Sequence, residues 1–179
     1  MKDDKALLSA LRAIQARGAI GEASLERAIV HAEQFVAALP DGLSTLVDLG
    51  SGGGLPGLVI AVRRPELHVT LVERRQSRAD LLSRAVRSLE LGAHVVVLAS
   101  DVRTLGESDP GSFDAVTARS FAAPPITARW AGILLRSGGR LVVSEPPTDD
   151  TDRWPAEMLA ECDLVDQGRD QGVRVFSRI

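Results

Sequence analysis

The chain has 179 residues, which suits one domain of ordinary size with a substantial core and is too short for two large ones. Its composition, 45% hydrophobic and 25% charged, is typical of a folded soluble protein and excludes the disordered and fibrous classes. A net charge of -3 lacks the overall basic character that nucleic-acid-binding domains usually show.

Signals for metal binding, membrane insertion and export are weak along the whole chain. Cys162 is the only cysteine, so no intramolecular disulfide or thiolate metal cluster can form, and the three histidines show no paired-ligand spacing. No apolar run approaches the roughly 18 residues of a membrane span, and the first five residues do not resemble a signal peptide. We therefore expect a cytoplasmic protein that contacts no membrane and binds no metal.

The first 40 residues differ in pattern from the rest of the chain. Apolar residues recur there at helical spacing, with an interruption around Gly18 and Gly21, which predicts two amphipathic helices. Pro40-Asp-Gly42 is a turn signal, after which short β-branched runs alternate with longer helical stretches. We predict an N-terminal helical extension over residues 1–40 and a main domain over residues 41–179.

Six short apolar runs in the main domain predict β-strands, with helical patterns after the first, second, fourth and fifth. This alternation favours a Rossmann-like α/β fold, in which a mostly parallel sheet carries helices on both faces. In such sheets, ligands bind beyond the carboxyl ends of the strands. A stretch rich in Pro, Thr and Asp, residues 145–152, predicts an exposed loop. The predicted strands are residues 45–49, 68–73, 94–99, 113–118, 140–144 and 173–177.

A glycine-rich segment, Asp48-Leu-Gly-Ser-Gly-Gly-Gly-Leu-Pro-Gly57, follows the first predicted strand and precedes a helical pattern. A strand, a glycine turn and a helix N-terminus together form a backbone-lined cofactor cradle. Gly52, Gly54 and Gly57 satisfy G-x-G-x-x-G, which alone would equally suggest a dinucleotide. Asp48 discriminates, because a carboxylate there would repel a pyrophosphate and attract the ammonium and sulfonium of S-adenosylmethionine. The charge therefore favours S-adenosylmethionine over NAD.

Residues after the second and third predicted strands extend this candidate site. Glu73 closes the second strand about 20 residues beyond the loop, where an acidic residue receives ribose hydroxyls. Asp101 and Val102 follow the third strand and are placed to meet an adenine ring. Each residue also has a purely structural interpretation: Asp48 as a cap, and the others as ordinary surface or core.

Four segments carry a more specific pattern than the glycines alone. They are residues 47–58, Arg64-Pro-Glu66, residues 113–122 with Trp130 downstream, and Gly138-Gly-Arg140. Together they resemble the small-subunit ribosomal RNA methyltransferase G family, also called glucose-inhibited division protein B, from about Ile29 to the C-terminus. The resemblance implies a class I methyltransferase fold, S-adenosylmethionine as cofactor, and methyl transfer to guanine N7 in 16S ribosomal RNA. Ribosomal RNA or the small subunit would then be the partner.

The same resemblance implies further cofactor contacts at Gly50, Leu55, Val102, Arg103 and Arg119. Two positions depart from the family: Asp101-Val-Arg103 stands where Arg-Ala-Glu is usual, and Glu145-Pro-Pro147 stands where Lys-Gly is common. The complete set of predicted cofactor-binding residues is Asp48, Gly50, Ser51, Gly52, Gly54, Leu55, Glu73, Asp101, Val102, Arg103 and Arg119.

Methylation at guanine N7 suits a chain with no obvious catalytic base, and we assign no catalytic residue. N7 has a free lone pair, so its attack on a sulfonium methyl group removes no proton and needs chiefly in-line positioning. The product base is cationic, and a nearby carboxylate of unassigned position could stabilise it. His31 and Trp130 are expected to be structural.

Three alternatives remain open at this point. One is a methyltransferase of small molecules or proteins with a lid made by the N-terminal helices, and another is a degenerate fold that binds a nucleoside or a protein. The third is a dinucleotide oxidoreductase. Arginines are dense between Arg63 and Arg87, which is more often a solvated helix face than a phosphate-contacting patch.

Overall fold

The computed structural model describes residues 2–22, 24–146 and 152–179. Within them, seven strands form one sheet in the order β3-β2-β1-β4-β5-β7-β6. Neighbouring strands among the first five are parallel, whereas β7 is antiparallel to both β5 and β6. The strands are β1 (Thr45–Leu49), β2 (His68–Val72), β3 (Val95–Leu98), β4 (Phe113–Ala118), β5 (Leu135–Ser144), β6 (Leu164–Asp170) and β7 (Val173–Arg178).

Helices cover both faces of this sheet, so the predicted Rossmann-like α/β fold is confirmed. Helices α1 to α4 pack on one face around a core that includes Leu11, Phe35 and Leu58, and α5 to α7 pack on the other around Val116 and Leu134. No helix among the described residues is long and apolar enough to cross a bilayer. The helices are α1 (Lys2–Gln15), α2 (Leu25–Ala38), α3 (Gly57–Arg63), α4 (Gln76–Ser88), α5 (Val102–Ser108), α6 (Pro124–Leu134) and α7 (Ala156–Ala160).

The N-terminal helices share a core with the sheet. Leu7 and Leu11 of α1 and Phe35 of α2 are almost fully buried, in the same apolar cluster as Ile60 of α3 and Leu71 of β2. Burying three large apolar side chains stabilises the fold by several kcal/mol, at about 1.5–3 kcal/mol for each. The division at residue 40 stays a prediction about domain organisation, and the packing shows that both parts contribute to one core.

The strand predictions were accurate in the buried centre of the sheet and failed at its edge. The bounds of β1 and β4 are as predicted, while β5 begins at Leu135 rather than at residue 140. Strand β6 was not predicted because all of its residues after Leu164 are exposed and mostly polar, as an edge strand allows. Helix α5 was also missed, since its seven residues are too few for a clear period. Most of the predicted loop at 145–152 lies outside the described residues.

Strands β1 and β4 lie side by side at the point where the strand order reverses, and Asp114 joins their starts. Its carboxylate accepts the backbone N–H groups of Ser44 and Thr45 at 2.6 and 2.9 Å and pairs with Arg136. Burial alone would raise the pKa of Asp114. The hydrogen bonds and Arg136 together outweigh burial, so the net pKa lies below its ordinary value. The carboxylate therefore fixes the register that places Asp48 opposite Thr117 at the other end of the pair.

Candidate active site

The glycine-rich loop connects β1 to α3 at the carboxyl edge of the sheet. The Ser51 N–H donates to the carbonyl of Val72 at the end of β2, over 2.9 Å. Gly50 has a φ of +64°, and a Cβ built there would lie 2.8 Å from a ring carbon of Phe121. Only glycine combines this backbone conformation with so close an approach. The loop is consequently held between the end of β2 and the segment that follows β4.

Asp48 lies beneath this loop with 1% of its surface exposed. Its Oδ1 accepts the hydroxyl of Thr117 at 2.8 Å, while Oδ2 faces Gly57 at the start of α3 and makes no well-formed hydrogen bond with the described residues. Burial raises the pKa of Asp48 to about 6, against the lowering effects of Thr117, Ser51, the Gly57 backbone and the charge of Arg119. The loop therefore rests on a carboxylate that is poorly solvated and incompletely paired.

Arg119 follows β4 and brings a positive charge to the same place. Its side chain is half-buried, and Nη1 is buried without a hydrogen-bond partner in the described part of the chain. Burial lowers the pKa of Arg119, and the negative charge of Asp48 opposes that shift. An unpaired buried donor costs about 1–3 kcal/mol, so it is a natural place for a ligand acceptor.

Glu73 directly follows β2 and holds the other side of the loop. It is 5% exposed; Oε2 accepts the Gly52 N–H at 3.1 Å and Oε1 accepts the Arg75 N–H at 2.7 Å. Each carboxylate oxygen can accept a second hydrogen bond. The side chain is therefore oriented by the backbone and still has acceptor capacity at the cavity wall.

Three adjoining cavities lie along the carboxyl edge of the strands, and Ser120 lines all of them. The loop cavity, about 230 Å³, lies against the glycine-rich loop and Arg119. The central cavity, about 420 Å³, lies beyond β1 to β3 and includes Glu73 and Trp130. The outer cavity, about 520 Å³, lies beyond β4 and β5. Its polar and aromatic lining residues are His31, Arg119, Ser120, Phe121, Thr127, Ser144, Glu145, Arg153 and Trp154.

Nine of the eleven predicted cofactor-binding residues line the loop and central cavities. Asp48 and Gly54 lie beneath the loop instead: Asp48 packs below it, and a Cβ at Gly54 would contact Leu58 and Leu82 of the core. The cofactor roles of all eleven stay predictions. The nine are Gly50, Ser51, Gly52, Leu55, Glu73, Asp101, Val102, Arg103 and Arg119.

The segment between α1 and α2 forms a wall of the loop cavity that the sequence did not assign. A Cβ at Gly53 would clash with Cγ1 of Ile20 and lie 2.8 Å from the carbonyl oxygen of Ala19. The N-terminal helices therefore bring residues 19–21 directly onto the glycine-rich loop. The sequence predicted a lid of this kind only for the alternative of a small-molecule or protein methyltransferase. Local sequence patterns cannot show where such a lid packs.

The outer and central cavities also contain residues to which the sequence analysis gave a structural role or no role. His31 of α2 lines the outer cavity, and its pKa is lowered by burial and by the charge of Arg119, which favours neutral imidazole. Trp130, expected in the core, packs against the second apolar cluster and also lines the central cavity. Glu145, which departs from the family pattern, is 8% exposed. The sequence signal that could have identified Glu145 as a site residue is its position directly after a predicted parallel strand, where ligands bind in such sheets.

Replacing Asp48 by Asn tests the energetic cost of the buried carboxylate. A folded-state pKa above the ordinary 3.8 means that the folded protein binds more protons than the unfolded chain between pH 3.8 and about 6, so stability falls as pH rises through that window. We expect Asp48→Asn to remove this fall and to stabilise the free protein at pH 7.5 by on the order of 1–3 kcal/mol. Urea unfolding of both proteins between pH 4 and 8 measures it.

The exposed Asp170→Asn substitution is the matched control and should leave the pH profile of the wild type unchanged. An Asp48→Asn profile that still falls between pH 4 and 6 would show that this carboxylate is not the titrating group. Thr117 keeps a hydrogen bond in the variant, because its hydroxyl can accept from the amide as well as donate to it.

Solved structures identify the class of this fold. An O-methyltransferase family protein from Burkholderia thailandensis superposes with a TM-score of 0.67 at 14% identity, covering 86% of this chain and 57% of that protein. The cofactor-bound protein Rv0187 from MTB superposes with a TM-score of 0.66 at 18% identity, covering 97% of this chain and 89% of that one. The chain therefore has the Rossmann-like class I methyltransferase fold.

Sequence comparison then gives the family. The model of the rRNA small subunit methyltransferase G family matches residues 21–153, and the chain belongs to that family. A ribosomal RNA small subunit methyltransferase G from Salinispora arenicola is 44% identical over 121 residues, which are 65% of this chain and 50% of the relative. The chain spans about half the length of the curated relatives it matches. The resemblance inferred from the motifs is thus confirmed.

Proposed function

We propose that this chain is an S-adenosylmethionine-dependent methyltransferase that methylates N7 of a guanine in 16S ribosomal RNA. Family membership supports the reaction, and the unpaired Nη1 of Arg119 in the wall of the loop cavity is the observation that carries the cofactor assignment. A substrate in the small ribosomal subunit agrees with the cytoplasmic location expected from the sequence.

The residues of the loop and central cavities fit S-adenosylmethionine. Nη1 of Arg119 would donate to the cofactor carboxylate, and Glu73 would accept the ribose hydroxyls with its remaining lone pairs. Asp48 lies below the loop, so its negative charge would act on the ammonium and sulfonium from beneath. Asp101 and Val102 line the part of the central cavity expected to receive adenine. When bound, the cofactor supplies an electrophilic methyl group.

The chain's own residues need to orient the acceptor rather than to move a proton. The outer cavity adjoins the loop cavity at Arg119 and Ser120, so a base held there faces the cofactor site directly. Guanine N7 attacks with a free lone pair, and His31, with its lowered pKa, is not required as a base. Positioning of this kind is the main catalytic contribution available to the site.

Unpaired arginines on α4 and just before it support RNA as the acceptor. Arg63 and Arg64 are in ion pairs, whereas the arginines from 74 to 87 have no acidic partner in the described chain. Such cations suit phosphate contacts, which provide most of the sequence-independent affinity for nucleic acid. This favours the phosphate-contacting interpretation over a merely solvated face. The unpaired residues are Arg74, Arg75, Arg78, Arg84 and Arg87.

The cofactor assignment predicts that Glu73→Gln weakens S-adenosylmethionine binding by about 10- to 100-fold, because an amide presents N–H groups where two backbone donors and the ribose need acceptors. Isothermal titration calorimetry with S-adenosylmethionine measures the change. The exposed Glu157→Gln substitution is the control and should bind like the wild type. Wild-type affinity in Glu73→Gln, or preferential NADH binding by the wild type, would contradict the assignment.

The reaction is tested by transfer of labelled methyl from S-adenosylmethionine to small ribosomal subunits that lack their native guanine modification. We expect label at one guanine, mapped by cleavage chemistry specific for N7-methylguanine. Small molecules and proteins from an extract of the cells that supplied the ribosomal subunits serve as competing acceptors. Cofactor binding with transfer only to one of these would replace the RNA proposal. Cofactor binding without any transfer would favour a degenerate nucleoside-binding protein.

The unpaired arginines of α4 predict a salt-dependent contribution to RNA binding and none to cofactor binding. Arg84→Gln combined with Arg87→Gln should raise the KM for the small subunit and lower the slope of log affinity against log salt by about one unit for each lost phosphate contact. S-adenosylmethionine affinity should not change. Arg129→Gln, on the opposite face of the sheet, is the control. An unchanged salt slope in the double variant would place the RNA elsewhere.

A further inference from the structure

The outer cavity contains a buried carboxylate that the cofactor assignment does not use. Glu145 directly follows β5, and its Oε1 accepts the Trp154 Nε1–H at 2.9 Å and the Arg153 Nη1–H at 3.1 Å. Oε2 accepts no hydrogen bond from residues 2–22, 24–146 or 152–179. One oxygen is thus fully engaged by the protein, and the other is available on a residue that lines the cavity.

The surroundings of Glu145 hold this carboxylate in place. Trp154 is 4% exposed and packs on Phe176 with ring centroids 4.7 Å apart. The Glu145 N–H also donates to the carbonyl of Gly172 over 2.8 Å, so both the backbone and Oε1 are anchored. A group fixed in this way loses little conformational freedom when a ligand binds, which is the requirement for a recognition element.

The position of Glu145 selects the chemistry of its ligand. Strands β1, β4 and β5 are consecutive in the sheet, so the end of β5 lies about 10 Å from the glycine-rich loop at a strand spacing of about 4.8 Å. Guanine carries N7 on one edge and its N1–H and N2–H₂ donors on the opposite side of the base. A guanine that spans the end of β4 with N7 toward the loop therefore directs those donors toward β5.

We propose that Oε2 of Glu145 accepts hydrogen bonds from the N1–H and N2–H₂ groups of the guanine to be methylated and so determines base specificity. This inference rests on the proposed function and adds the residue that selects the base. Adenine has no N1–H, so it cannot replace guanine in this contact. Arg119 and Arg153 also line the cavity, which disfavours a cationic small molecule as the occupant.

The experiment compares guanosine with inosine, which lacks the N2 amino group, at the mapped position in small-subunit RNA. For the wild type we expect kcat/KM to be at least about tenfold higher on guanosine, because inosine lacks the N2 amino group and so offers Oε2 one donor fewer. Glu145→Gln should lose at least about tenfold in kcat/KM on guanosine RNA, and its preference over inosine should fall to within about twofold.

Two controls and one further variant separate recognition from folding. Glu161→Gln is an exposed change that should behave as the wild type in every assay. Glu145→Gln should keep the wild-type affinity for S-adenosylmethionine, which reports an intact cofactor site. Trp154→Phe removes the N–H that orients Oε1, so it should reduce the guanosine preference only partly.

The outcomes distinguish failure of this inference from failure of the proposed function. No transfer by the wild type to either RNA would remove the proposed function, and the inference with it. Transfer to both RNAs at equal rates would overturn the inference alone, whether or not any variant folds. An unchanged guanosine preference in a folded Glu145→Gln protein would do the same.

Discussion

The buried carboxylate of Asp48 is the interaction on which the geometry of the site depends. It joins β1 to β4 through Thr117 and lies against the start of α3. The two strands and the helix that follows the glycine-rich loop therefore meet at one side chain. Its desolvation is unfavourable in the free protein, as the raised pKa shows. Arg119 provides the compensating charge from the cavity side, which couples the loop to the segment after β4.

The three cavities follow from the strand order rather than from any single motif. Because the order reverses between β1 and β4, helices diverge there and leave a crevice beyond the carboxyl ends of the strands. The loop after β1, the acid after β2 and the arginine after β4 enter this crevice from separate parts of the sequence. The N-terminal helices close it from one side, where Ile20 packs on Gly53. The site is therefore assembled by topology.

Local sequence patterns predicted those parts of the molecule that local physics determines. Buried strands such as β1 and β4 are nearly continuous apolar runs, and the glycine-rich loop requires backbone conformations that few other residues adopt. The edge strand β6 has no such pattern, and the contact of His31 with Gly172 joins residues 141 positions apart in the chain. The burial of Asp48 beneath the loop could not be predicted, because spacing does not distinguish the two faces of a loop.

The distribution of charge across the cavities agrees with the proposed reaction. Methyl transfer from a sulfonium to guanine N7 moves a positive charge from the donor to the acceptor base. In the proposed arrangement Asp48 would lie on the donor side and Glu145 on the acceptor side; each residue is buried and has one oxygen that is incompletely hydrogen-bonded. In the proposed reaction, a carboxylate near each end would offset the positive charge before and after transfer. The acidic residue that departs from the family pattern is thus compatible with N7 methylation.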